Sequence, residues 1–205
     1  MEKKDLLKDV IKHIDIKSYN STELVDAMRN MSFTSRDTAR AADILMMMCK
    51  EKECTNILTL AGSTSAAGCM QVYVDMVRNK MIDVVVATGA SIIDMDLFEA
   101  LGFKHYIGEK ENVIPDTTLR ELYIDRIYDT YIDEEELQAC DHSTYELANM
   151  LEARPYSSRE FIYEIGKWLH EGNAVKKDSL IQTCYECGVP IFVPAFSDSS
   201  AGFGI

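Results

Sequence analysis

Asn56-Ile57-Leu58-Thr59-Leu60-Ala61-Gly62-Ser63 and, further on, Asp83-Val84-Val85-Val86-Ala87-Thr88-Gly89-Ala90-Ser91 decide the fold. Each is a short apolar run without alternation that stops at a glycine and a small polar residue. Continuous apolar runs of this length mark strands buried on both faces, the kind a parallel sheet uses. Between them, residues from about 66 to 80 follow a helical period, with Met70, Tyr73, Val74 and Val77 on one side. The second run leads into another helical pattern that ends near Leu101-Gly102. Strand, glycine loop and helix, repeated, predict an α/β fold: a Rossmann-like parallel sheet with flanking helices. Pro190-Ile191-Phe192-Val193-Pro194-Ala195-Phe196 gives a third strand and runs into Ser197-Asp198-Ser199-Ser200.

Outward from these runs the chain reads as helices. Leu6, Leu7, Val10 and Ile11 give residues 2–13 a helical period. Asn20-Ser21-Thr22-Glu23 has the form of a capping box, and Ser35-Arg36-Asp37 opens a longer helix. The spacing divides the chain into a helical N-terminal segment, about 1–53, and an α/β part, about 54–205. Residues 108–116 read as a loop, 117–130 as a helix and 133–151 as an acidic helix. Ser157-Ser158-Arg159-Glu160 starts a further helix, and Asp178 to Cys187 a last one, stopped by Gly188. The chain reaches residue 205 just after a strand and a small polar loop, where an α/β protein starts its next helix, so it reads as cut off on its C-terminal side.

Of 205 residues, 47% are hydrophobic and 27% charged, the balance of a globular protein rather than a disordered one. Against 21 Lys and Arg stand 34 Asp and Glu, a net charge of −13. That sign argues against nucleic acid and against an anionic membrane surface, and suits a polycationic partner such as a polyamine. No stretch approaches the ~20 apolar residues that span a bilayer. The six cysteines (49, 54, 69, 140, 184 and 187) are scattered through apolar or helical runs and read as reduced thiols of a cytoplasmic protein.

The three strand-end loops carry the candidate chemistry. Small residues there admit a phosphate to backbone N–H groups, and Asp198 is placed to accept ribose hydroxyls. Plain α/β connectivity also puts small residues at such loops, and both readings stand. Neither G-x-G-x-x-G nor G-x-x-x-x-G-K-[ST] occurs. Asp94 and Asp96, just past the second loop, read either as a cation or polyamine site or as solvated helix-start acids. Cys184-Tyr185-Glu186-Cys187 lacks the second pair a structural zinc site needs, and its place inside a helical run speaks equally against a redox dithiol. The four histidines form no metal motif; His105, after a helix end near a glycine loop, is the one best placed for a role.

Leu58 to Ser63 with Ala67-Gly68, Ile82 to Ala90, Asp125-Arg126-Ile127 and Val189 to Asp198 resemble the deoxyhypusine synthase family, most closely its deoxyhypusine-synthase-like branch in archaea and bacteria. The resemblance runs through essentially the whole chain in the same order. It implies that residues 1–205 are the N-terminal part of an NAD-binding domain, in tetramers built from tight dimers, with NAD and spermidine at the dimer interface. It also implies the reaction. NAD oxidises spermidine, the aminobutyl group passes to an enzyme lysine as an imine, and thence to a lysine of translation initiation factor 5A. Relatives that make homospermidine pass it to putrescine.

Matched by motif, Ser63 falls in the first NAD loop. Thr88, Gly89 and Ala90 fall in the second, where the family reads Thr-Ala-Gly, and Asp198 falls on an NAD-contacting Asp. Asp94 falls on a Glu of the ligand site, with Asp96 as the candidate second acid, because Ile93 stands where the family has another Glu. Phe203 replaces an Asp that helps bind spermidine, which implies weaker amine binding or a different amine. The family's His-containing glycine-rich motif and its Trp-Gly-Lys segment have no counterpart here, so no catalytic lysine is assigned. The chain is then either the N-terminal part of such a transferase or a non-catalytic relative that binds NAD or a partner subunit.

Overall fold

The computed structural model describes residues 1–108 and 113–204, with side chains through Gly202. It begins with α1 (Lys3–Leu6), a short turn at Ile16–Ser18, α2 (Thr22–Met28) and α3 (Phe33–Lys50). The helix expected over 2–13 stops at Leu6 because a strand further on claims the following backbone. Ile11 N–H donates to the His105 carbonyl at 2.9 Å, and Ile107 N–H to that of Asp9 at 2.7 Å. The capping box expected at residues 20–23 does not form; Asn20 Oδ1 accepts the Thr22 N–H at 3.0 Å instead. Of α3 only Ala39 is buried, leaving Phe33, Met46 and Met47 exposed.

β1 (Ile57–Leu60) leads through a wide turn, Ser65–Cys69, into α4 (Met70–Arg78). The single helix expected over 66–80 is broken at Gly68, whose φ is +89° and where a Cβ would sit 2.8 Å from the Lys12 carbonyl oxygen. Only glycine fits both constraints. β2 (Val84–Ala87) is followed by α5 (Gly89–Ser91), a wide turn Ile92–Leu97 and α6 (Phe98–Ala100), one buried helical run.

The next stretch departs from expectation. β3 (His105–Ile107) precedes the expected loop, of which 109–112 lie outside the described residues and 113–115 are irregular; α7 (Asp116–Glu121), β4 (Ile124–Ile127) and β5 (Thr130–Asp133) replace the helix expected over 117–130. The helix ends early because Tyr123 turns left-handed, with φ +55°. The strands then form an antiparallel sheet of order β3-β5-β4 over a small core of Leu6, Leu119, Ile124 and Tyr131.

α8 (Glu134–Met150), α9 (Ser158–Trp168), α10 (Leu180–Cys187) and β6 (Ile191–Phe192) follow, and short turns at Phe196–Asp198 and Ala201–Gly204 end the described chain. α9 starts where expected, with Ser157 and Glu160 forming a reciprocal cap, and Gly188, at φ +71°, ends α10 as expected. The three apolar runs form one parallel sheet of order β1-β2-β6, with Val85 opposite both Leu58 and Ile191. Of the third run only Ile191 and Phe192 pair. Val85, Val74, Ile165, Leu180 and Ile181 sit in the core between this sheet and its helices. Burying such a side chain contributes roughly 1.5–3 kcal/mol each.

Candidate functional site

A parallel sheet places the loops after all its strands at one edge. Here that edge collects Gly62–Ala67 after β1, Thr88–Asp94 after β2 and Phe196–Ala201 after β6. The loops are bonded to one another. Ser91 Oγ donates to the Gly62 carbonyl at 2.8 Å, and Ser65 Oγ to that of Ser91 at 3.3 Å. Thr88 caps the second loop by accepting the Ser91 N–H at 3.3 Å. At Gly89 a Cβ would lie 2.4 Å from that of Ser199, so the third loop rests directly on the backbone of the second. Ser200 N–H donates to Asp94 Oδ2 at 3.3 Å, and Ser200 Oγ donates to Asp141 Oδ2.

That last bond brings in a residue the sequence reading missed. Asp141 reaches the site from α8. Cys140, Thr144 and Leu147 form the buried stripe of that helix, and Asp141 flanks it; the signal was helical period within a run that otherwise reads as a solvated acidic face. One oxygen of Asp94 and one of Asp141 are buried without a hydrogen-bond partner. Burial, then the charge of Asp141, raises the Asp94 carboxyl to about 6, against the opposing N–H bond from Ser200. Burial raises Asp141 as well. Two under-partnered carboxyls at a loop edge have the chemistry to receive a cation with N–H donors.

The other expected residues divide. Ser63 is half-buried and, with Thr64, Ala66 and Ala67, lines a cavity of about 210 Å3 facing the β4–β5 turn. Thr64 Oγ1 is buried without a partner. Gly89 is buried, Ala90 half-buried, and Asp198 is exposed on the short turn Phe196–Asp198. Asp96 is a correction. It is 1% exposed, and its two oxygens accept the N–H groups of Leu180 and Ile181 at 2.9 and 2.8 Å. It caps the buried start of α10 and cannot meet a substrate at the loop edge; the second acid beside Asp94 is Asp141. The side chain of Phe203 lies outside the described residues.

His105 belongs to a separate buried group. Its Nδ1 lies 2.8 Å from Glu99 Oε1; His13 Nε2 and Lys176 Nζ lie 2.6 and 2.5 Å from Glu99 Oε2. His13 Nδ1 accepts the Met70 N–H at 3.2 Å, so this group joins the N-terminal segment to α4. Burial raises the Glu99 carboxyl, but the bonds from His105, His13 and Lys176 outweigh it and hold the group well below its ordinary range. All six cysteines are free thiols, with Cys184 buried and Cys187 exposed, and no cluster of metal-ligand type occurs among the described residues. No helix of the described residues is long and apolar enough to cross a membrane.

Small loop residues, an orphaned Thr64 hydroxyl and an open Asp198 carboxylate fit a dinucleotide. The family model of deoxyhypusine synthase matches residues 23–205. The chain is 66% identical over 204 residues to a deoxyhypusine synthase-like protein of Caulobacter vibrioides, which it matches over 100% of its own length and 55% of that protein's. A protein of the same name in Coxiella burnetii (strain RSA 493 / Nine Mile phase I) is 59% identical over 203 residues, covering 99% of this chain and 57% of the relative. The chain thus spans little more than half the length of these relatives. A crystal structure assigned to deoxyhypusine synthase from Entamoeba histolytica superposes with a TM-score of 0.64 at 20% identity, over 95% of this chain and 65% of that one; it shares the fold. By the family model, and in keeping with the three-loop edge, the chain belongs to the deoxyhypusine synthase family.

Proposed function

We propose that this chain supplies the nucleotide-binding loops and part of the amine site of an NAD-dependent aminobutyl transferase. The donor is spermidine and the acceptor a lysine of translation initiation factor 5A. The observation that carries the reading is the bonding of three small-residue loops into one edge, with the carboxyls of Asp94 and Asp141 beside it. Ser63, Thr88, Gly89 and Ala90 line the approach of the cofactor, and Asp198 accepts its ribose hydroxyls. When bound, NAD supplies the hydride acceptor for oxidation of the amine. Asp94 and Asp141 hold a protonated nitrogen of the donor, and their raised proton affinity lets them take up a proton beside it.

The catalytic lysine belongs to a part of the family's sequence that this chain does not match. The enzyme acts as a homo-oligomer, a dimer of dimers, in the cytoplasm. The exposed apolar residues of α3, Phe33 at 89% among them, support self-association. A second reading has observational support. With Phe203 in place of a family carboxylate, the site favours another amine, and the transfer is then of the homospermidine type, to putrescine.

The test is to incubate a full-length protein, in which this chain is joined to the family's lysine segment, with NAD and spermidine and to follow NADH absorbance and release of 1,3-diaminopropane. Both are expected, and Asp198→Ala is expected to weaken NAD binding. NADH without diaminopropane from any polyamine would remove the transfer reading. No NAD affinity at all would remove the cofactor.

A further inference from the structure

The cavity between the first glycine loop and the β4–β5 turn takes up only part of the edge. At about 210 Å3 it is smaller than the ~300–1,000 Å3 of a typical small-molecule site, so it suits one end of a dinucleotide. Tyr128 stands at its rim. The side chain is 92% exposed and contributes almost nothing to packing. Its backbone is left-handed, φ +55°, in the two-residue turn between Ile127 and Thr130. Such turns take Gly or Asn at left-handed positions. The fold therefore gains nothing from a ring here and carries a strained backbone to keep it. An outlier of this kind beside a cavity points to function.

The surroundings are built to match. The Gly108 N–H holds the turn by donating to the Asp129 carbonyl at 2.7 Å. A Cβ at Gly108 would come within 3.0 Å of the Tyr131 ring, so the turn packs closely there. Across the cavity, Ala66 and Ala67 offer small side chains, and Thr64 brings its unpartnered hydroxyl.

We infer that Tyr128 is a ring-stacking residue of the nucleotide site. It lays its face on a heteroaromatic ring of the dinucleotide, with the Thr64 hydroxyl bonding a polar atom of the same moiety. The inference rests on the reading of the first glycine loop as part of an NAD site. Adenine and nicotinamide both present such a ring, and the experiment separates them.

Isothermal titration of the purified protein with NAD, ADP-ribose and nicotinamide mononucleotide provides the test, on wild type, Tyr128→Gly, Tyr128→Asn and Tyr128→Phe. Loss of a stacking ring is expected to weaken NAD about ten-fold in the Gly and Asn variants. Their thermal midpoints stay level or rise, since both residues suit the turn. Tyr128→Phe keeps the affinity because it keeps the ring. Whichever fragment loses affinity in parallel identifies the stacked end. Wild-type affinity in both Tyr128→Gly and Tyr128→Asn overturns the inference and leaves the NAD reading intact; no NAD binding by wild type overturns both.

Discussion

Buried Glu99 and the half-buried pair Asp94 and Asp141 are set apart by their surroundings. Glu99 has both oxygens bonded, to His105 on one side and to His13 and Lys176 on the other. Asp94 and Asp141 share Ser200, and each leaves an oxygen buried without a partner. The proton affinities diverge accordingly. Glu99 is held below the ordinary carboxylate range, while Asp94 is raised to about 6. A buried charge that has its counter-charges is framework; one that lacks them is destabilised until something cationic arrives. The comparison separates structure from site within one chain.

The sharpest way to break it is Glu99→Gln. If Glu99 is framework, losing its charge strands Lys176 and the histidines, and stability should fall by about 3–5 kcal/mol in urea melts. A loss under 1 kcal/mol would show that the group is not a structural tie. The pH dependence has a fixed sign. Because the folded Glu99 lies below its ordinary value of 4.5, its stabilisation is full above that value and is lost as pH falls through the lower folded one.

Asp96→Ala comes next. It leaves the Leu180 and Ile181 N–H groups buried and unpaired, at a cost of about 1–3 kcal/mol. Since Asp96 cannot reach the loop edge, amine affinity should be unchanged in the folded fraction; a specific loss of spermidine affinity would restore it to the site.

Asp94→Asn should act in the opposite sense. A raised folded value means that the stability tied to this proton is full below 3.8 and is lost as pH rises through about 6. The amide removes that loss, so the variant should be more stable at pH 7.5 by on the order of 1 kcal/mol, with the advantage fading below pH 4. Spermidine-dependent NADH formation should fall together with that gain. A variant no more stable at pH 7.5 would place Asp94 with Glu99. The smallest effect is at Tyr128→Gly. Relief of its left-handed backbone is expected to raise stability by about 0.5–1 kcal/mol in denaturant melts.

Much of the framework was legible because local physics dictates it. The runs at 57–60 and 84–87 form the parallel strands expected of them, although burial on both faces does not hold: of 57–60 only Leu60 is buried and Ile57 is exposed. Ser157 with Glu160, and Gly188, mark helix ends through bonds made within a few residues. The antiparallel sheet was not legible, because strands of three and four residues show too little alternation to outweigh a helical reading. Asp94 and Asp96 look alike in the sequence, two residues apart after the same loop. Yet one lies at the loop edge against Ser200 and the other is closed over by the start of α10.

The sequence by itself determined the parallel sheet, its order of strand, glycine loop and helix, and the family, since these rest on apolar periodicity and contiguous motifs. Only the tertiary structure decided which carboxyls stay unpaired at the loop edge, that Asp141 joins them from a distant helix, and that a tyrosine faces the first glycine loop. Those outcomes depend on which groups meet across the fold, and the desolvation and pairing that set an acid's behaviour arise only there.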